Sequence, residues 1–102
     1  MERIDHIREM IVDEPTDPFL HYALGLELVK KQHYQDAMAA FQKVLSLDEN
    51  YIASYYQLGL VFIEIDIVDV ARTYIEKGIE KAILKKDQKA KAEFEELLEG
   101  IE

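Results

Sequence analysis

The 102-residue sequence contains no cysteine and no tryptophan, and it has only two prolines and four glycines. Without cysteine the chain can form neither a disulfide framework nor a thiolate metal site. The opening segment 1–15 has no apolar run long enough for a signal peptide. The longest apolar stretch, 58–63, is too short to cross a membrane. We therefore expect a cytoplasmic protein that has no membrane partner.

Basic residues are also scarce. The chain carries 12 Lys and Arg residues against 21 Asp and Glu residues, which gives a formal net charge of −9 at pH 7. A chain of this charge repels the phosphates of nucleic acids and the surface of anionic membranes. Nucleic acid is therefore not an expected partner, whereas apolar and basic partners remain compatible with the composition.

One short pattern occurs twice. Residues 21–26 are HYALGL and residues 55–60 are YYQLGL, so Leu24, Gly25 and Leu26 each recur 34 positions later. A fixed period of this size is typical of stacked structural units rather than of a catalytic motif. Apolar residues after each copy follow helical spacing, with breaks near 31–33 and 65–67. Each unit is therefore predicted to be a helix, a short turn and a second helix.

The flanking segments fit the same scheme. An apolar stripe precedes Pro15, like the second helix of a unit whose first helix is missing. Asp87 is a typical N-cap for a last helix that has one polar side, as the end of a stacked array requires. We predict an all-α helix-turn-helix repeat array of about six helices in a single domain, 1–102. Its parts are a half-repeat helix (1–17), two repeats (18–51 and 52–85) and a C-terminal capping helix (86–102).

The stretch 63–70, IEIDIVDV, alternates apolar and polar residues, which is typical of a β-strand. The 34-residue register instead places Asp66 at the turn between two helices. We follow the register, because it matches at many positions and a single strand would have no strand to pair with.

The repeated residues resemble those of the tetratricopeptide repeat (TPR) family. That family's 34-residue unit favours a bulky residue followed by Leu-Gly, then an aromatic or aliphatic residue, and later Ala and further packing residues. The first unit supplies His21, Leu24, Gly25, Leu28, Ala37, Phe41 and Val44. The second supplies Tyr55, Leu58, Gly59, Phe62, Ala71, Ile75 and Gly78. The resemblance covers nearly the whole chain and implies a TPR-like α-solenoid fold.

The predicted repeat array gives the glycines a packing role. Gly25 and Gly59 lack a Cβ atom, so the two helices of each unit can approach closely, and Gly78 is interpreted as a third close-packing point. Gln32 and Asp66 stand where the family often has glycine in the turn. A positive φ there would be tolerated by Asp66 and would strain Gln32.

Catalysis has little support in the sequence. His6, His21 and His33 are scattered, and no two of them lie four residues apart as helical metal ligands do. The glutamates at 93, 95, 96 and 99 have the spacing of a solvated helix face. We predict that the protein is not an enzyme and that it has no cofactor and no metal site.

A second apolar stripe on the first helix of each unit is the candidate site. Its members lie three or four residues apart, so each set shares one helix face. The resemblance to the TPR family maps this stripe to a concave groove that binds peptides or helices. The predicted groove residues are Phe19, Tyr22, Leu26, Val29, Ala53, Tyr56, Leu60 and Ile63, with Lys30 and Glu64 at its edge.

The predicted function is therefore a non-catalytic protein–protein interaction module that binds an apolar or amphipathic polypeptide segment. Family members that grip a peptide's terminal carboxylate use Lys and Asn on the groove. Of the matching residues here, only Gln57 resembles that set. Two alternatives stay open. A second copy of the chain could fill the groove in a homo-oligomer, with Ile65 and Ile67 extending a homodimer surface, or the C-terminal helix could cover it.

Overall fold

The computed structural model describes residues 2–102, and α-helices supply the regular secondary structure of that range. The helices are α1 (Arg3–Asp13), α2 (Pro18–Lys30), α3 (Tyr34–Leu47), α4 (Ile52–Glu64), α5 (Val68–Lys85) and α6 (Gln88–Glu99). Six helices within the described residues confirm the predicted all-α repeat array. The chain forms two compact units, one ending at Glu49 with α1–α3 and one at Asn50–Glu102 with α4–α6. The single domain and its repeat boundaries stay predictions.

In the sequence, Asp17 before Pro18 and Asp87 before the last helix are typical N-caps, and both side chains cap a helix in the structure. The Asp17 carboxylate accepts a hydrogen bond from the Phe19 amide at 3.0 Å, and Pro18 occupies the first helical position of α2. Pro is favoured there, because its missing N–H would have no partner within the helix. At α6 the Asp87 carboxylate accepts from the Ala90 amide at 3.0 Å. Both caps satisfy amide groups that the first helical turn leaves without backbone acceptors.

Three helices end on residues in the left-handed region, and none of the three is glycine. The φ angles are 60° at Gln32, 63° at Asp66 and 58° at Lys86. After α2, the amides of Gln32 and His33 donate to the carbonyls of Val29 and Leu28, a Schellman pattern. The same pattern follows α4, so the alternating stretch 63–70 contains a helix end, a turn and a helix start. The prediction of a turn at Asp66 is confirmed.

We expect Gln32→Gly to raise the free energy of unfolding by about 0.5–1 kcal/mol. An L-residue in the left-handed conformation is strained by about 1–2 kcal/mol, and glycine removes that strain at some cost in backbone entropy. Urea denaturation followed by circular dichroism measures the change. Gln35→Gly is the matched control, since Gln35 is also exposed but lies inside α3, where glycine should destabilise. A loss of stability in both variants would contradict the strain at Gln32.

In the first unit, the absence of a side chain at Gly25 admits the ring of Phe41. A Cβ atom at Gly25 would lie 2.6 Å from Cζ of Phe41, far inside van der Waals contact. Phe41 is fully buried, as are Ala37 and Val44 on the same helix. The close approach of α2 to α3 is therefore built on a glycine facing an aromatic ring.

The second unit repeats this arrangement in two places. A Cβ atom at Gly59 would lie 2.9 Å from Cγ1 of Ile75, which is fully buried on α5. One at Gly78 would lie 2.9 Å from Cε2 of Phe94 and closer still to other atoms of that ring. Gly59 thus sets the spacing of α4 and α5, and Gly78 sets that of α5 and α6. The prediction that Gly78 is a close-packing point is confirmed.

Helix α1 is joined to α2 by one buried side chain and by polar contacts. Ile7 is 2% exposed, whereas Met10, three positions further along the same helix, is 46% exposed. Nε2 of the buried His21 donates to the Pro15 carbonyl at 2.8 Å, which fixes the turn between the two helices. Arg3 Nε lies 2.9 Å from Glu27 Oε1. Within Arg3–Asp13 only Ile7 is buried, and the role of α1 as half of a repeat stays a prediction.

Candidate binding faces on α2 and α4

Helix α2 is apolar on two sides. Leu20, Leu24 and Leu28 are buried. The opposite side is named here the α2 face, and it consists of Phe19, Tyr22, Leu26 and Val29. Phe19 is 60% exposed, and the other three residues are half-buried. Tyr22 packs its ring on the buried Phe41, with ring centroids 5.6 Å apart. The α2 face therefore joins an exposed aromatic ring to a row of side chains supported by the core.

Lys30, predicted at the groove edge, is held by its own helix. Its Nζ lies 3.2 Å from Glu27 Oε1, the oxygen that also pairs with Arg3. Burial acts to raise the pKa of the Glu27 carboxyl, but the hydrogen bonds and positive charges of Lys30 and Arg3 outweigh it and lower that pKa. Glu27 therefore stays ionised, and the exposed Lys30 side chain is oriented beside the α2 face.

In the second unit, the α4 face consists of the residues 34 positions further along, Ala53, Tyr56, Leu60 and Ile63. Ala53 and Leu60 are exposed, whereas Tyr56 and Ile63 are half-buried. Glu64, the predicted edge residue, is exposed in the last turn of the helix. The structure thus leaves parts of both predicted faces accessible. Their role in binding stays a prediction.

The C-terminal helix covers part of the α4 face. The ring of Phe94, which is 1% exposed, meets the Tyr56 ring edge-on with centroids 5.4 Å apart. Leu97 of the same helix lies close to Gly59, at 3.6 Å from the position of a Cβ atom there. Since Ala53 and Leu60 remain exposed, α6 covers Tyr56 without covering the whole face.

The packing of α6 creates a pocket that the sequence did not indicate. It lies between α4 and α6 and includes Tyr56 and Ile63 of the α4 face. Glu93 and Glu96, which the sequence assigns to a solvated face, are exposed and also line this pocket. Helical spacing could show that they share a side of α6. It could not show which surface that side adjoins.

The described residues, 2–102, contain neither a metal-binding cluster nor a membrane-spanning helix. No group of three or more His, Cys, Asp or Glu side chains is placed to hold a metal ion. None of the helices is both long enough and apolar enough to span a membrane.

Comparison with known proteins agrees with the all-α helical repeat array. The family model described as TPR repeat matches residues 25–65. A tetratricopeptide repeat domain protein from Salinibacter ruber, solved by NMR, is 33% identical with a TM-score of 0.81. The match covers 86% of this chain and 89% of that one. The chain belongs to the tetratricopeptide repeat family. TPR domains are in general non-catalytic modules for protein–protein interaction, and this chain has their fold.

Two further matches place this TPR chain among longer relatives. The TPR2B domain of yeast Sti1, solved in complex with pHsp70, superimposes with a TM-score of 0.91 over 96% of this chain and 78% of that one. At 18% identity that likeness concerns the fold alone. FK506-binding protein 5 of Rhizopus delemar is 29% identical over 82 residues, which are 80% of this chain. The match spans 20% of that protein's length.

Proposed function

We propose that this TPR protein binds an apolar or amphipathic polypeptide segment through the α2 and α4 faces and catalyses no reaction. The observation that carries the proposal is the exposure of Phe19, at 60%, at the head of a row of apolar side chains on α2. An exposed aromatic ring is a typical anchor at protein interfaces, because it buries a large area at a small cost in side-chain entropy.

The spacing of the two faces favours a helical or extended segment over a small ligand. In each face the four residues lie three, four and three positions apart, so they run along about three turns of helix. Such a row offers successive contacts to a partner helix whose apolar residues recur at similar intervals. The complex of yeast Sti1 TPR2B with pHsp70 supports a polypeptide as the class of ligand, since it has the same fold.

The faces of this chain favour apolar contact over capture of a terminal carboxylate. The only lysine predicted at the groove edge, Lys30, already pairs with Glu27 at 3.2 Å. The α4 face carries no basic residue, and the exposed Glu64 follows its last member. A carboxylate placed there would meet a negative charge without a cation to balance it.

Phe19→Ala and Leu60→Ala are each expected to weaken binding of a labelled amphipathic helical peptide by roughly five- to tenfold. Either truncation removes apolar contact area worth about 1 kcal/mol or more. Fluorescence polarisation with the full chain measures the affinity. The peptide has leucines along one face and neutral polar residues elsewhere, and its scrambled isomer has no apolar face.

Val12→Ala is the matched control for this experiment. Val12 is 80% exposed on α1 and lies outside both faces, so its truncation should leave the affinity unchanged. Equal binding of the scrambled peptide, or equal weakening by Val12→Ala, would refute binding through these faces. Sedimentation over a concentration range tests the alternative occupant, a second copy. A mass that rises with concentration and falls with Leu60→Ala would identify self-association.

A further inference from the structure

The pocket between α4 and α6 is named the α6 pocket, an open cavity of about 430 Å³ within the second unit. Its walls are largely apolar. They are formed by Tyr56, Ile63, Leu97 and Ile101. Gly100 contributes no side chain, and the remaining lining residues are Glu93 and Glu96. The cavity therefore combines an apolar wall with two carboxylates.

The carboxylates of the α6 pocket have no counter-ion from the described chain. Glu93 and Glu96 are three residues apart on α6 and so lie on the same side of the helix. Neither forms an ion pair with a Lys or Arg within residues 2–102, whereas the neighbouring Glu95 pairs with Lys91 at 3.5 Å. The lining of the pocket contains no basic residue. Two negative charges thus adjoin an apolar cavity.

The ends of two helices add to this negative potential. Ile63 is the penultimate residue of α4, and Gly100 directly follows α6. The macrodipole of a helix places a partial negative charge at its C-terminal end, although the amides of Asp66 and Ile67 already donate to the carbonyls of Ile63 and Phe62 at the end of α4. The backbone and the side chains of the α6 pocket therefore favour a cation in the same place.

We propose that the α6 pocket binds a lysine or arginine side chain of an amphipathic segment held on the α4 face. The inference rests on the proposed function, because Tyr56 and Ile63 belong to both the α4 face and the pocket. The methylene stem of a basic side chain would lie against the apolar walls, and its charged head would meet the carboxylates of Glu93 and Glu96. The net charge of −9 disfavours an acidic segment.

The test uses three labelled helical peptides that share one leucine face and differ at one flanking position, which is lysine, norleucine or glutamate. Norleucine keeps the apolar stem of lysine and lacks its charge. The lysine peptide is expected to bind the full chain about tenfold more tightly than the norleucine peptide, and the glutamate peptide least tightly. The advantage of lysine should shrink as the salt concentration rises.

Glu93→Gln combined with Glu96→Gln is expected to abolish the advantage of lysine and leave the affinity for the norleucine peptide unchanged. Glu76→Gln combined with Glu95→Gln removes the same net charge from exposed positions outside the pocket and should preserve the advantage. Equal affinity of the three peptides for the unmodified chain would overturn the pocket assignment alone. If the lysine peptide still binds the Glu93 and Glu96 double variant more tightly than the norleucine peptide does, the pocket assignment is also overturned. Failure of all three peptides to bind would overturn both the proposed function and the assignment of the α6 pocket.

Discussion

Replacing Phe94 by alanine is expected to lower the free energy of unfolding by about 3–5 kcal/mol. The ring is 1% exposed, meets the Tyr56 ring edge-on, and lies against Gly78, where a side chain would clash. Its removal leaves a cavity bordered by α4, α5 and α6. Gly78 has no side chain that could fill this cavity. A domain of this size is stable by about 5–15 kcal/mol, so the loss is a large fraction of the total.

Phe19→Ala is the matched control for Phe94→Ala, because it deletes the same atoms from a ring that is 60% exposed. We expect it to change the free energy of unfolding by less than about 1 kcal/mol. Urea denaturation followed by circular dichroism at 222 nm measures both variants. Similar losses at the two positions would contradict the role of Phe94 as the side chain that fastens α6.

Gly25→Leu is expected to destabilise the protein by about 3 kcal/mol, the upper part of the range for overpacking. Even the first atom of the new side chain would lie 2.6 Å from Cζ of Phe41, whose ring is fully buried and can shift only by displacing other core side chains. Leucine favours helix over glycine by somewhat under 1 kcal/mol, so the measured loss is what remains after that gain. Thermal and urea denaturation of the variant give the value.

A compensating substitution separates this clash from a general effect of leucine. Phe41→Ala vacates the volume that the new side chain needs, so Gly25→Leu with Phe41→Ala should be more stable than the sum of the single losses predicts. We expect a coupling free energy of about 1–3 kcal/mol. Gly100→Leu is the control, because a Cβ there meets only backbone carbonyls, the nearest at 3.4 Å. Additive losses at positions 25 and 41 would show that the two residues do not compete for space.

Much of this fold could be predicted from the sequence, because the two repeats place the same types of residue at the same packing positions. One glycine inside an apolar helix has many explanations. Gly25 and Gly59 at the same point of two units indicate a place where another helix must come close. The register also corrected a local signal, since IEIDIVDV alternates like a strand yet contains the turn at Asp66. The alternation of apolar and polar residues depends only on neighbouring positions, whereas the 34-residue period depends on how whole helices stack.

The exposure of the α2 and α4 faces could not be predicted reliably from the spacing of apolar residues. Periodicity showed that Tyr56 and Leu60 lie on one side of α4, but it could not show that α6 reaches only the first of them. Whether an apolar residue is covered depends on the helix that packs against it. That helix, α6, follows α4 by more than twenty positions, so no local pattern relates the two.

The sequence by itself determined the helices, the N-caps of α2 and α6 and the close-packing glycines, because each of these depends on residues close together or on an exact period, and its repeated residues resembled those of the TPR family. Only the tertiary structure decided that Phe94 packs on Tyr56 and that Glu93 and Glu96 line an apolar cavity. These features come from side chains on different helices, whose meeting depends on the angle and depth of packing. That geometry is a property of the folded core as a whole, and the spacing of residues along one helix does not contain it.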